Sequence, residues 1–180
     1  ERSLERVRRR RNDIHFNVDI IGWQVHGDAA GLSRAVLNLL DNAAKWSPPG
    51  GTVGLRLGQV DAAHAELVVS DEGPGITPEE RGLVFERFYR STSARAMPGS
   101  GLGLAIVKQV VVKHGGMIRI GETFPGRQPP GTAFHVLLPG QRTVSAYRTE
   151  SAHSENPPRN RDFGPVGNSA PPVPSVISVD

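Results

Sequence analysis

Residues 99–116 read GSGLGLAIVKQVVVKHGG. Three glycines alternate with small or apolar residues, an apolar run follows at once, and His-Gly-Gly closes it. A glycine inside a helix costs roughly 1 kcal/mol against alanine. Gly99, Gly101 and Gly103 are therefore not there for helix stability. Free N–H groups at a helix N-terminus bind phosphate, aided by the helix dipole. Glycines let an anion reach the backbone and permit unusual φ and ψ. A phosphate cradle explains the run better than stability does. Neither common nucleotide loop fits. The dinucleotide fingerprint needs G-x-G-x-x-G directly after a strand, and the P-loop ends in Gly-Lys-Ser/Thr. Here the spacing is G-x-G-x-G, behind the loop STSARAMP.

Around this start the chain alternates strand and helix patterns. Strands are predicted at 14–20, where IHFNVDI alternates apolar and polar, at 23–27, and at 52–58 and 64–70 about a turn near Asp61. Asp28 is the predicted N-cap of a helix over 29–46. Residues 71–100 are rich in Gly, Pro, Arg and Ser, with one short helical piece near 79–84. A helix over 102–114 ends at Gly115-Gly116, and strands at 117–122 and 132–138 follow. Residues 1–11 read as the end of a helix or a linker. Residues 141–180 hold six prolines and many serines and are expected to be disordered, the mildly apolar VPSVISV at the end included.

The chain has 180 residues, enough for one domain of ordinary size plus some extra. It has no cysteine, which excludes a disulfide scaffold, a thiol nucleophile and cysteine-ligated zinc. No stretch approaches the ~20 apolar residues of a membrane span. The net charge is +3, and much of the basic excess is Arg8-Arg9-Arg10-Arg11. A run this short reads as a solvated helix end and not as a nucleic-acid surface, which spreads basic residues over a face with aromatics between them.

Two further patterns carry chemistry. In the helix over 29–46, Leu32, Ala35, Val36, Leu39, Leu40 and Ala43 form the core face. Asn38, Asn42 and Lys45 fall on one narrow polar stripe. A solvated face is the plain reading of such a stripe, yet asparagine is a poor mid-helix choice for one. Two amide oxygens one turn apart suit a hydrated magnesium ion, and Lys45 suits a phosphate. In LVVSDEGPGI (67–76), a strand runs into Asp71 and then Gly73-Pro74-Gly75. These are ordinary turn residues. A fixed carboxylate there, an acceptor only, would choose adenine, whose exocyclic amine donates, over guanine.

The order NLLDNAAKWS (38–47), DEGPGI (71–76), VFERFYR (84–90), GSGLGLAIVK (99–108), HGG (114–116) and PGTAF (130–134) resembles the catalytic ATP-binding domain of bacterial sensor histidine kinases. The resemblance covers about residues 13–139. The wording is similar to the actinobacterial stress-response kinases of the mycobacterial persistence type. The resemblance implies that Asn38 and Asn42 hold magnesium and that Lys45 contacts phosphate. It places Trp46, where the family usually has tyrosine, against the adenine. Asp71 would read the base, with Gly73, Gly75 and Ile76 shaping its loop. Arg87 and Arg90 would reach the phosphates, Gly99, Ser100, Gly101, Leu102, Gly103 and Leu104 would form the phosphate loop, and Thr132 would lie near the base. Asn38, Lys45 and Arg87 are the residues it puts closest to catalysis.

The implied fold is a two-layer α/β sandwich of the Bergerat type: a mixed sheet of about five strands, helices on one face, and a mobile lid at about 76–100. Residues 1–12 would then be a linker from a dimerisation and phospho-acceptor hairpin lying before Glu1, 13–140 the catalytic domain and 141–180 the tail. None of the six histidines has the context of a phospho-acceptor. The chain is therefore expected to bind ATP and Mg²⁺ without phosphorylating itself. The parent is expected to be a membrane-anchored homodimer whose cytoplasmic part passes phosphate to a response regulator, with no direct nucleic-acid contact. Asn38 is an amide and not a general base, so hydrolysis by water is expected to be slow. Related gyrase-type and chaperone ATPases, anti-sigma-factor serine kinases and a docking module that only binds are the other readings.

Overall fold

The computed structural model describes residues 2–95, 97 and 99–143. The elements are α1 (Arg2–Arg10), β1 (His15–Ile20), β2 (Trp23–Gln24), α2 (Ala29–Trp46), β3 (Thr52–Gln59), β4 (His64–Ser70), α3 (Glu80–Leu83), α4 (Thr92–Arg95), α5 (Gly103–Lys113), β5 (Met117–Gly121), β6 (Ala133–Pro139) and β7 (Gln141–Arg142). Five strands form one mixed sheet in the order β1-β3-β4-β6-β5. β1 and β3 run parallel across the α2 crossover, and every other pair is antiparallel. This is the expected α/β sandwich, with α1, α2 and α5 on one face of the sheet.

Periodicity explains the layering. β4 buries Ala65, Leu67 and Val69 and turns His64, Glu66, Val68 and Ser70 to the other face. In β6, Phe134, Val136 and Leu138 do the same. Against them lie Leu39, Leu40, Ala43 and Ala44 of α2 and Val107 and Val111 of α5. The opposite sheet face carries charge instead, with Arg119 and His135 both against Glu66.

Each helix end has a local cause. Asp28 caps α2 as expected, accepting from the Gly31 N–H at 3.0 Å. α5 stops in a Schellman turn: Gly115, at φ 69°, donates to Val112, and Gly116 donates to Val111.

Two expected boundaries move. Residues 1–12 are not a bare linker. Val7 on α1 is 1% exposed and belongs to the core, because α1 packs along α2. Nor is the Arg8–Arg11 run simply solvated. Arg8 lies over the Phe16 ring, and Arg10 pairs with Asp41. Arg11 grips Asp13 with two hydrogen bonds while donating to the Ala44 and Ser47 carbonyls at the end of α2. At the other end, Gln141 and Arg142 pair with Gln24 and Trp23, so ordered chain runs past 140. The remainder of the expected tail, 144–180, lies outside the described residues.

Candidate functional site

α2 and α5 meet over the sheet, and the segment carrying α3 and α4 folds across their junction. A cleft of about 300 Å³ lies between them. One wall is the polar stripe of α2: Asn38, Asn42, Lys45 and Trp46 all line it. The stripe also includes Asp41, which the sequence reading left out although it sits three residues after Asn38. The start of α5 supplies Gly99, Ser100, Gly101, Gly103 and Leu104. Gly75, Ile76 and Thr132 close the inner end, and Arg90 enters from the lid.

Asp71 and Gly73 stand behind this wall. The β4–β6 ladder continues one pair beyond Ser70 and Ala133, and the Asp71 N–H donates to the Thr132 carbonyl at 2.9 Å. The Asp71 side chain is thereby buried, 1% exposed. Its Oδ1 accepts from the Gly73 N–H at 2.9 Å and the Thr132 N–H at 3.1 Å. Its Oδ2 has no hydrogen-bond partner among the described residues. Burial pushes the carboxyl up to about 6, against the pull of those two N–H groups and the Thr132 side chain. Gly73 is glycine because a Cβ there would meet the Trp46 carbonyl oxygen at 2.8 Å.

At the other end of the cleft the Asn38 amide donates to the Gly103 carbonyl at 3.1 Å. A carbonyl only accepts, so the facing atom is Nδ2 and the Asn38 oxygen remains available as a ligand. The Lys45 ammonium lies 5.3 Å from the Trp46 ring centroid. It also lies 3.4 Å from where a Cβ on Gly99 would stand. Burial, and then the charge of Arg90, hold its pKa below the usual lysine value. The Trp46 ring thus carries a cation as well as lining the cleft.

The three glycines differ. Gly99 and Gly101 have φ of 153° and 72°, where side chains are strained. At Gly101 a Cβ would also stand 2.8 Å from the Phe88 carbonyl carbon. That close approach is held by the Phe88 N–H donating to the Gly101 carbonyl. At Gly103 the nearest atoms to a Cβ belong to Asn38, 3.8 Å away. No contact within the described protein demands glycine there.

Two expected site residues stand elsewhere. Arg87 is exposed and does not line the cleft. The chain reverses at Phe88, at φ 65°, so Arg90 points inward instead. Arg90 donates to the Ala94 and Met97 carbonyls of the lid. Leu102 precedes α5, its N–H donating to Ser100 Oγ, and does not line the cleft. The sequence reading missed Glu80 and Tyr89, which line the cleft and share a hydrogen bond of 3.3 Å from the tyrosine hydroxyl. No spacing pattern marks them, because the fold of the lid places them.

A mixed sheet under two helices, with a carboxylate buried behind one end of the interhelical cleft and a glycine-led helix start at the other, defines a nucleotide-binding class. Residues 27–142 match the family described as Histidine kinase-, DNA gyrase B-, and HSP90-like ATPase, and the chain belongs to that family. Within it the chain carries the catalytic domain of a sensor histidine kinase. It is 68% identical over 181 residues to the signal transduction histidine-protein kinase/phosphatase MprB of Mycobacterium ulcerans (strain Agy99), covering all of this chain and 35% of that protein. The solved mycobacterial sensor histidine kinase MprB superposes with a TM-score of 0.75 at 68% identity, covering 79% of this chain and 92% of that one. Full-length ShkA, solved in complex with AMPPNP, matches with a TM-score of 0.66 at 26% identity, over 80% of this chain and 30% of that one. The chain spans about a third of the length of the curated relatives it matches. Among the described residues, no helix is long and apolar enough to cross a membrane.

Proposed function

We propose that the cleft binds Mg²⁺–ATP and presents the γ-phosphoryl group to a histidine on a separate helical hairpin, for onward transfer to a response-regulator aspartate. The observation that carries this reading is Asp71: a buried carboxylate whose Oδ1 accepts from two backbone N–H groups and whose Oδ2 has no hydrogen-bond partner among the described residues. A buried acceptor of this kind is costly unless something donates to it. The exocyclic amine of adenine is such a donor.

The other residues fit the rest of the nucleotide. The Asn38 and Asn42 oxygens, one helical turn apart, suit a hard cation that keeps waters and phosphate oxygens in its shell. Lys45 and Arg90 both line the cleft and supply positive charge there. The first turn of α5 offers N–H groups, its start having no side-chain cap. Magnesium supplies charge neutralisation, and the protein supplies position, which is most of what phosphoryl transfer needs. The names of the relatives also include phosphatase. We extend both activities to the whole protein and not to this chain alone.

Calorimetric titration with ATP, with and without magnesium, on wild type and Asp71→Asn tests the reading. Magnesium-dependent binding that is lost in the variant supports it. A wild-type chain that binds no adenine nucleotide removes it and leaves a docking module.

A further inference from the structure

His114 is the histidine of the His-Gly-Gly turn, and the nucleotide site does not use it. It is 8% exposed. Its Nε2 accepts from the Asp28 N–H at 2.9 Å, and its Nδ1 lies 2.7 Å from the Val110 carbonyl. An N–H only donates and a carbonyl only accepts, so Nε2 is bare and Nδ1 carries the proton. Gly27, at φ 142°, lies against the ring, and a Cβ there would stand 2.3 Å from it. Asp28 in turn caps α2. The last turn of α5 is therefore fastened to the first residue before α2.

The two helices are fastened again at the nucleotide cleft, where Asn38 donates to Gly103. The fastenings lie ten residues apart along α2 and eleven along α5, about 15 and 16 Å at the rise of an α-helix. Apolar packing between the helices is non-directional. Two hydrogen-bonded ties, at opposite ends of α5, set where one helix stands along the other. That offset decides how far the first N–H groups of α5 lie from the Asn38 and Asn42 oxygens.

We infer that His114, as its neutral Nδ1–H tautomer, is a positioning residue of the nucleotide site, setting the offset of α5 along α2 from the end opposite the ligand. The inference rests on the reading of the cleft as a Mg²⁺–ATP site. The other tautomer, or the imidazolium, would set N–H against N–H at Asp28.

The test compares the full chain with His114→Gln, which keeps an acceptor within reach of Asp28, and His114→Leu, which keeps bulk without one. Gly27→Ala displaces the ring while leaving the histidine in place. Three readouts are taken at neutral pH on variants shown to be folded by thermal melting: ring ¹⁵N shifts, the Asn38 side-chain amide resonances, and calorimetric affinity for Mg²⁺–AMPPNP. We expect the Nδ1–H tautomer in wild type. His114→Leu and Gly27→Ala are expected to shift the Asn38 amide and weaken binding about tenfold, the scale of a small misplacement of binding groups. His114→Gln should recover most of both. An Nε2–H ring, or an unmoved Asn38 amide with wild-type affinity in the folded Leu and Ala variants, overturns the inference. Should His114→Leu fail to fold, the Gln and Ala variants and the ring shifts decide alone. A wild type that binds no nucleotide removes the proposed function, while the Asn38 amide still reports on the helix offset.

Discussion

The carboxylate of Asp71 and the backbone N–H of Thr132 face each other at 3.1 Å, one residue pair beyond the last rung of the β4–β6 ladder. The sheet itself therefore aims the carboxylate, since a one-residue slip in that register would turn Asp71 to the other face.

Asp71→Asn separates binding from stability. The amide keeps an acceptor for Gly73 and Thr132 but sets a donor where Oδ2 stood. Adenine-nucleotide affinity is expected to fall about 10- to 100-fold, the worth of one hydrogen bond to a charged group. Because the folded carboxyl titrates at about 6 and the unfolded one at 3.8, the native state holds its proton more tightly. Its ionisation therefore costs stability, nothing below pH 4 and increasingly up to pH 6. The variant should be the more stable protein at pH 7, by on the order of 2 kcal/mol, and not at pH 4. Urea unfolding at the two values checks this, and an equal difference at both would refute the burial argument. Wild-type ATP affinity should likewise drop as pH falls through about 6, when Oδ2 ceases to be a free acceptor.

Gly101→Ala and Gly103→Ala should fail in opposite ways. Alanine at 101 meets both a positive φ and the Phe88 backbone, and should cost about 1–3 kcal/mol of fold stability. Alanine at 103 sits at a helical position and meets only ordinary van der Waals contact with Asn38, at 3.8 Å, and should leave melting unchanged or slightly raised. It should nonetheless weaken Mg²⁺–ATP binding by crowding the first turn of α5. Paired melting curves and titrations read both effects, and a Gly103→Ala protein of unaltered affinity would mean that this glycine serves no ligand.

Val7→Ala tests whether α1 belongs to the domain. The side chain is buried, and losing two methyl groups should cost about 2 kcal/mol. Chemical denaturation of the variant gives the number. A cost near zero would return residues 1–12 to the status of a linker.

Incubated with Mg²⁺–ATP, the chain should release phosphate no faster than buffer and should take no radiolabel on its own histidines. Asn38 and Asn42 are amides and activate no water. Turnover well above buffer would point instead to Glu80, a carboxylate that lines the cleft, and Glu80→Gln would then abolish it.

Local sequence was a good guide wherever one short pattern carried the information. The helix over 29–46 appears with those bounds, because an apolar stripe of period 3.6 and an Asp28 cap are both local. Asn38, Asn42 and Lys45 share a wall of the cleft because helical spacing puts them on one face. Patterns failed where a partner distant in sequence decides. Leu4 and Val7 are sparse apolar positions in an arginine-rich stretch, and nothing in that stretch announces that α2 will cover them. Arg87 and Arg90 look alike in VFERFYR, and the positive φ at Phe88, braced by Gly101, chooses between them.

Periodicity, caps and motif spacing along the chain were enough for the main strands and helices of the sheet and its helical layer, for most of the cleft residues and for the family, but not for α4 or β7. It took the three-dimensional packing to show that Asp71 is buried with one oxygen lacking a partner among the described residues, that Gly101 is needed by the protein and Gly103 is not, and that His114 ties α5 to α2. Each of these depends on groups from 13 to 86 residues apart brought within hydrogen-bond or van der Waals distance. Those forces act over a few ångströms, and no pattern along the chain carries that information.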